Sequence, residues 1–211
     1  MNVILLGYPG AGKGTQAQLL KEKGFMHIST GDLIRKEIAA GTALGKQIEG
    51  VVKQGSLVSD DIIIQLLMNV VKDAKGGIVF DGFPRTLAQA QTLDKYLALQ
   101  GKKIDYIVLL KMQEDEVLKR LTSRRVCKVC GAIDNIYWPS YKGICAKDGG
   151  ELITRPDDTL ESAKHRFEVY KKETQPLINY YNKSAGFKEI NGSGTPDEVF
   201  KLVEQALGLQ K

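Results

Sequence analysis

The sequence predicts an α/β fold: a five-stranded parallel sheet flanked by helices, with a small domain inserted late in the chain. Three observations carry that prediction. Short apolar runs alternate with helical stretches, which implies parallel strands joined by crossover helices. The first run, residues 3–6, breaks into a glycine-rich turn with a lysine, as when a buried strand feeds a phosphate-binding loop. From about residue 125 to residue 156 the alternation stops, and this stretch holds all three cysteines and the single tryptophan.

Taken in order, residues 13–23 predict a helix ended by Gly24, and residues 25–28 a short strand before Ser29-Thr30-Gly31-Asp32. Residues 32–39 are expected to be helical, and 41–55 a short helix with glycine at both ends. Ser59 or Asp60 caps a helix to about residue 74, which Gly76-Gly77 ends. Residues 78–81 form the third strand, 87–99 a helix and 104–110 the fourth strand. Residues 114–124 predict a helix with acids in its first turn and bases in its last, the order the helix dipole favours. Arg120 and Arg124 then share one helix face at i and i+4. After the insert come a long helix over 160–184, a fifth strand over 187–190, and a last helix opened by Thr195-Pro196 and running to 207.

With 211 residues, 43% hydrophobic and 26% charged, the chain is expected to bury one core. That composition excludes disorder, and no apolar run approaches the roughly 18 residues of a membrane span. Neither a membrane association nor a signal peptide is expected, and the expected location is the cytoplasm. The net charge of +5 is dispersed along the chain. It suits polyphosphate substrates better than nucleic acid, so no nucleic-acid partner is expected.

The opening loop carries the first chemistry. Gly7, Gly10, Ala11, Gly12, Lys13, Gly14 and Thr15 bring backbone N–H groups, a helix N-terminus and an ammonium to one place, which suits a nucleotide phosphate. The usual spacing Gly-x4-Gly-Lys-Ser/Thr is met through Lys13, but position 14 is glycine and the hydroxyl comes at Thr15. Asp81 closes the third strand, where ligands bind in open α/β sheets, and is expected to hold magnesium through water. Cys127-x2-Cys130 and Cys145-x2-Asp148 form two close pairs, the spacing of two turns folded over one tetrahedral ion, and zinc fits best. A redox pair or small buried hydrophobes are the plainer alternatives. Its role would be structural, since four protein ligands leave no open position. His27 and His165 lack a second histidine at ligand spacing and are read as structural.

Gly7-x-Pro9-Gly10-x-Gly12-Lys13-Gly14-Thr15, Ser29-Thr30-Gly31-Asp32, Asp81-Gly82-Phe83-Pro84-Arg85-Thr86 and Arg155-Pro156-Asp157-Asp158 stand in the order of the adenylate kinases. Across essentially its whole length the chain resembles the long form of that family, whose core is of the P-loop NTPase type. The resemblance implies reversible phosphoryl transfer from Mg-ATP to AMP, giving two ADP, in a monomer whose partners are ATP, AMP and ADP. It implies a core of residues 1–29, 59–124 and 160–211, an AMP-binding region over 30–58 and a zinc-holding lid over 125–159.

By the same resemblance Arg35 and Arg85 hold the monophosphate, while Arg120, Arg124, Arg155 and Arg166 surround the transferring phosphates with Lys13, beside Asp157 and Asp158. Arg155 and Arg166 also reach AMP. Gln89 reads the AMP base, with Thr30, Gly82, Leu57 and Val58 around it. Thr15 and, through water, Asp81 take the magnesium. The backbone near Gly194 lies against the ATP adenine. In the lid the family's Tyr-His pair and following Phe are replaced by Asp134-Asn135-Ile136-Tyr137-Trp138-Pro139, and Tyr137 is taken as the aromatic over that adenine. A kinase for UMP or CMP is the alternative; Gln89 and the long lid speak against it. A GTP switch lacks its guanine motif, since Asn182-Lys183-Ser184 continues into Ala185.

Overall fold

The computed structural model describes residues 1–72, 74 and 76–210. The helix expected to run to about residue 74 ends at Val71, and residue 73 of that expectation lies outside the described residues. Along the chain run β1 (Asn2–Leu6), α1 (Lys13–Glu22), β2 (Met26–Ser29), α2 (Thr30–Ala39), α3 (Ala43–Lys53), α4 (Asp60–Val71), β3 (Ile78–Asp81), α5 (Leu87–Leu99), β4 (Tyr106–Lys111) and α6 (Glu114–Thr122). Three short strands follow, β5 (Arg124–Cys127), β6 (Ile133–Asn135) and β7 (Leu152–Ile153). The chain closes with α7 (Leu160–Val169), α8 (Pro176–Tyr181), β8 (Phe187–Asn191) and α9 (Pro196–Leu207).

The main sheet has the order β2-β3-β1-β4-β8 with every pair parallel. Its middle strand β1 is buried at every position, which is why residues 3–6 are an unbroken apolar run rather than an alternating one. Successive side chains still go to opposite faces. Ile4 and Leu6 join Phe80, Leu67, Leu93 and Leu177 on one side, while Val3 and Leu5 join Leu20, Val199 and Val203 on the other. Helices therefore cover both faces, and all five strands present their carboxyl ends to the same rim. The 124–153 segment forms a separate antiparallel sheet, β6-β5-β7.

Two sequence expectations are corrected here. The helix expected over 114–124 ends at Thr122. Ser123 Oγ, with one proton to give, lies 2.5 Å from Lys119 O and 3.0 Å from Asn135 Oδ1, and the backbone turns into β5 to pair Arg124 with Asn135. Arg120 and Arg124 thus stand on a helix and a strand, not on one helix face. The long helix expected over 160–184 is interrupted by one π turn, Tyr170–Thr174. The next residue but one is Pro176, which has no N–H to donate, and Gln175 N bonds back to Tyr170 O instead.

Candidate active site

The site grows from the loop after β1. Gly12 takes φ 91°, a left-handed conformation open to glycine, and turns the chain into α1 so that Lys13 is the first helical residue. Lys13 Nζ reaches back across the loop to Gly7 O (2.7 Å) and Tyr8 O (2.9 Å). Burial lowers its pKa to about 8, against the opposing pull of Asp81. Parallel pairing sets Leu5 beside Asp81, so the carboxylate stands at the same rim as the loop. Burial works to raise Asp81, but His27 and Lys13 outweigh it and hold the carboxyl below its usual range.

His27 Nε2 is buried 3.5 Å from Asp81 Oδ2, the outer limit of hydrogen-bond distance, and has no closer partner among the described residues. His27, expected from its spacing to be structural, thus stands as a direct neighbour of the site. Its signal was its place on β2, beside the strand that ends in Asp81. A Cβ on Gly14 would come 3.2 Å from Asp81 Oδ2 and 3.5 Å from Ile133 Cδ1. The approach is tight at a position where the common motif has a hydroxyl residue.

On one side of the loop stands the arm built from α2 and α3. Thr30 Oγ1 and Arg85 Nε both donate to Gly82 O at 2.8 Å, and Arg35 Nη2 meets Asp32 Oδ1 at 2.5 Å. Burial lowers the pKa of Arg85. Leu57, Val58 and the almost fully buried Gln89 line a small hollow there with Thr30, Arg35, Arg85 and Arg166.

On the other side Arg124 grips Asp158 with two bonds, Nε to Oδ2 at 2.8 Å and Nη2 to Oδ1 at 2.5 Å. Arg166 Nη1 lies 3.1 Å from Asp157 Oδ2 and 3.5 Å from Asp158 Oδ1. Burial, followed by the charge of Arg124, pushes both Arg155 and Arg166 down to about 10, which leaves each cationic at neutral pH. Arg120 donates to Gly192 O (3.1 Å) and Gly194 O (3.0 Å), and so holds the loop after β8.

The three parts close on one another. Lys13, Thr15, Arg35, Arg85, Arg120, Arg124, Arg155 and Arg166 border one large hollow together with Trp138 and other residues of the 124–153 segment. Such a chamber offers several fixed cations and a turn of free backbone amides to a polyphosphate while limiting water. Tyr137 does not border it. Its N–H donates to Asn135 Oδ1, its ring is exposed, and Lys119 Nζ sits over that ring, 4.4 Å from the centroid.

A family model described as adenylate kinase matches residues 5–186. The chain belongs to the adenylate kinase family. A protein named adenylate kinase from Thermodesulfovibrio yellowstonii is 45% identical over 208 residues, covering 96% of this chain and 97% of that one. Adenylate kinases from Archaeoglobus fulgidus (43% identical, 98% of each chain) and Clostridium botulinum (45% identical, the whole of each chain) are equally similar in extent. As an adenylate kinase the chain is an enzyme that transfers a phosphoryl group between ATP and AMP, giving two ADP. Adenylate kinases bind small nucleotides, and no helix among the described residues is long and apolar enough to cross a membrane.

This adenylate kinase also has a four-ligand cluster in its inserted sheet. Ligand atoms of Cys127, Cys130, Cys145 and Asp148 all lie within 4.8 Å of one another. Cys130 Sγ and Cys145 Sγ are 3.6 Å apart, and Cys127 Sγ is 3.3 Å from Asp148 Oδ1. Val129 N and Cys130 N point at Cys127 Sγ (3.4 and 3.5 Å), and Gly150 N donates to Asp148 Oδ1 at 2.9 Å. A Cβ on Gly150 would fall 2.8 Å from Cys127 Sγ and 2.9 Å from that oxygen, so the cradle admits only glycine. Hydrogen bonding to Asp148 and to the other thiols pushes Cys130 up to about 12. Sulfur and carboxylate donors at tetrahedral-edge separations fit a metal ion.

Proposed function

We propose that each of the two nucleotides takes its own side of the chamber and that the phosphoryl group crosses between them beside Lys13. The loop of Gly10, Ala11, Gly12, Lys13, Gly14 and Thr15 cradles the ATP phosphates with its N–H groups. Lys13, buried and, among the described residues, without a carboxylate partner within bonding distance, follows the transferred group. Thr30, Arg35, Leu57, Val58, Gly82, Arg85 and Gln89 receive AMP. Arg120, Arg124, Arg155 and Arg166 place positive charge where the equatorial oxygens develop it. Asp157 and Asp158 act by holding Arg124 and Arg166, whereas Arg120 orders the backbone at Gly194 along the ATP adenine. Magnesium, arriving with ATP, would be held by Thr15 and through water by Asp81, and supplies neutralisation of the bridging phosphate charge.

The observation that carries this reading is the convergence of the loop lysine and six arginines on one large hollow at the carboxyl rim of the sheet. Little covalent chemistry is asked of the protein; alignment and charge do the rest. The cysteine cluster holds a structural zinc, the enzyme is a cytoplasmic monomer, and the 30–58 and 125–159 segments move as the AMP arm and lid around the remaining core. In place of Tyr137, Trp138 is the lid aromatic that borders the chamber. A coupled assay of ADP formation from ATP and AMP tests the assignment. Lys13→Met and Arg85→Ala should each lower kcat by about 100-fold or more, comparable to losing a key transition-state donor. Near-normal turnover in either variant would refute it.

A further inference from the structure

Gln89 carries a hydrogen-bond arrangement that its role as a base reader does not by itself require. Its Oε1 accepts from Arg85 N at 2.7 Å, and its Nε2 donates to Asp60 Oδ1 at 2.6 Å. The other carboxylate oxygen, Asp60 Oδ2, accepts from the Thr86 hydroxyl at 3.0 Å, and Thr86 Oγ1 in turn accepts from Gln89 N at 3.2 Å. Gln89 borders the small hollow beside Arg35 and Arg85, whereas Asp60, at the first position of α4, stands behind it and does not border it.

We infer that Asp60 is a specificity-determining residue: it fixes the sense of the Gln89 amide and thereby the acceptor base. A free carboxamide is nearly symmetric in shape, and by rotating half a turn it can present either donor–acceptor order. Adenine offers an acceptor at N1 beside a donor at N6; hypoxanthine, with the same outline, offers a donor at N1 beside an acceptor at O6. A rotating Gln89 would therefore serve both. Here the rotation is blocked at both ends of the amide. A backbone N–H can only donate and a carboxylate can only accept, so the turned amide would set N–H against N–H at Arg85 and oxygen against oxygen at Asp60. What Gln89 has left for a ligand is one Nε2 hydrogen and one Oε1 lone pair in a single order, the order adenine complements. Thr86 keeps the carboxylate from swinging away, and the almost fully buried position of Gln89 keeps water from substituting for it.

This inference rests on the reading that Gln89 faces the AMP base, and the experiment separates the two. The ratio of kcat/KM for AMP to that for inosine monophosphate, at saturating ATP, is measured for the wild type, Asp60→Ala, the isosteric Asp60→Asn and Gln89→Ala. Asp60→Ala should lower the ratio by about 10-fold or more, within the discrimination expected of one bidentate contact. The change should lie mainly in KM for the monophosphate, with KM for ATP unmoved. Asp60→Asn keeps the packing but can itself turn to meet either sense of Gln89, and it should lower the ratio in the same direction. A general loss of folding would not change a ratio between two acceptors. Should Gln89→Ala collapse the ratio while both Asp60 variants leave it at the wild-type value, the lock is overturned and Gln89 remains the reader. Should none of the three move it, base reading by Gln89 fails, and the lock with it.

Discussion

Asp158 shows at the residue scale how the site holds several like charges close together. Its carboxylate is wholly buried between Arg124 and Arg166, and both oxygens are used. The repulsion between those guanidiniums is already visible in the lowered pKa of Arg166, for which burial and then Arg124 are responsible. Removing the carboxylate would leave Arg124 without its partner and facing Arg166, which keeps only Asp157. Asp158→Ala should cost about 3 kcal/mol of stability, the range found when one partner of a buried ion pair is deleted, and urea unfolding reads it directly. An unchanged urea midpoint would mean that the two arginines find other partners. Gly14 belongs to the same scale: its missing side chain lets Asp81 and the inserted sheet approach the loop.

At the scale of elements, the inserted sheet is too small to hold itself together by burial. Its strands are four, three and two residues long, and its buried members include Cys127, Cys145 and Asn135 rather than a cluster of large apolar side chains. Asn135 anchors it to the end of α6, where Nδ2 donates to Arg120 O at 3.0 Å and Oδ1 accepts from Ser123. A metal held at the four-ligand cluster would supply the missing cohesion. Chelation should lower the thermal midpoint by about 5 °C, matching a loss of roughly 2 kcal/mol in a protein of this length, and restored zinc should recover it. A midpoint indifferent to chelator would end the zinc proposal. The same junction ends α6 short of the helix that the sequence predicts over 114–124: charge order and apolar spacing in α6 are local, but its end is set by Asn135, which comes from a different strand.

At the scale of the whole molecule, the site exists because three parts meet. Gly55, at φ 79°, is where the α2–α3 arm comes against α7: a Cβ there would lie 2.7 Å from Arg166 Cγ and 3.0 Å from Ser162 Oγ. Beside it Ser56 Oγ and His165 Nε2 are 3.0 Å apart. The approach is therefore as tight as glycine allows. Gly55→Val should hold the arm away, raising KM for AMP by about 10-fold while leaving KM for ATP close to wild type, as steady-state kinetics with each substrate varied would read. Equal effects on both substrates would argue against a contact particular to the AMP side.

Much of the protein is legible in its sequence because the signals are local. The strand-to-helix loop ending in Lys13, the paired Cys127/Cys130 and Cys145/Asp148 and the strand-end Asp81 each lie within a few residues, and backbone geometry over such a span is set by glycine, caps and spacing. The alternation of apolar runs determined a parallel sheet for the same reason. Only the tertiary structure decided which distant groups share a charge or a hydrogen bond: His27 with Asp81, Arg124 with Asp158, Asp60 with Gln89. It also turned Tyr137 out of the chamber and Trp138 toward it. Those outcomes depend on strand register and helix packing across tens of residues. Side-chain type and spacing along the chain carry no record of them.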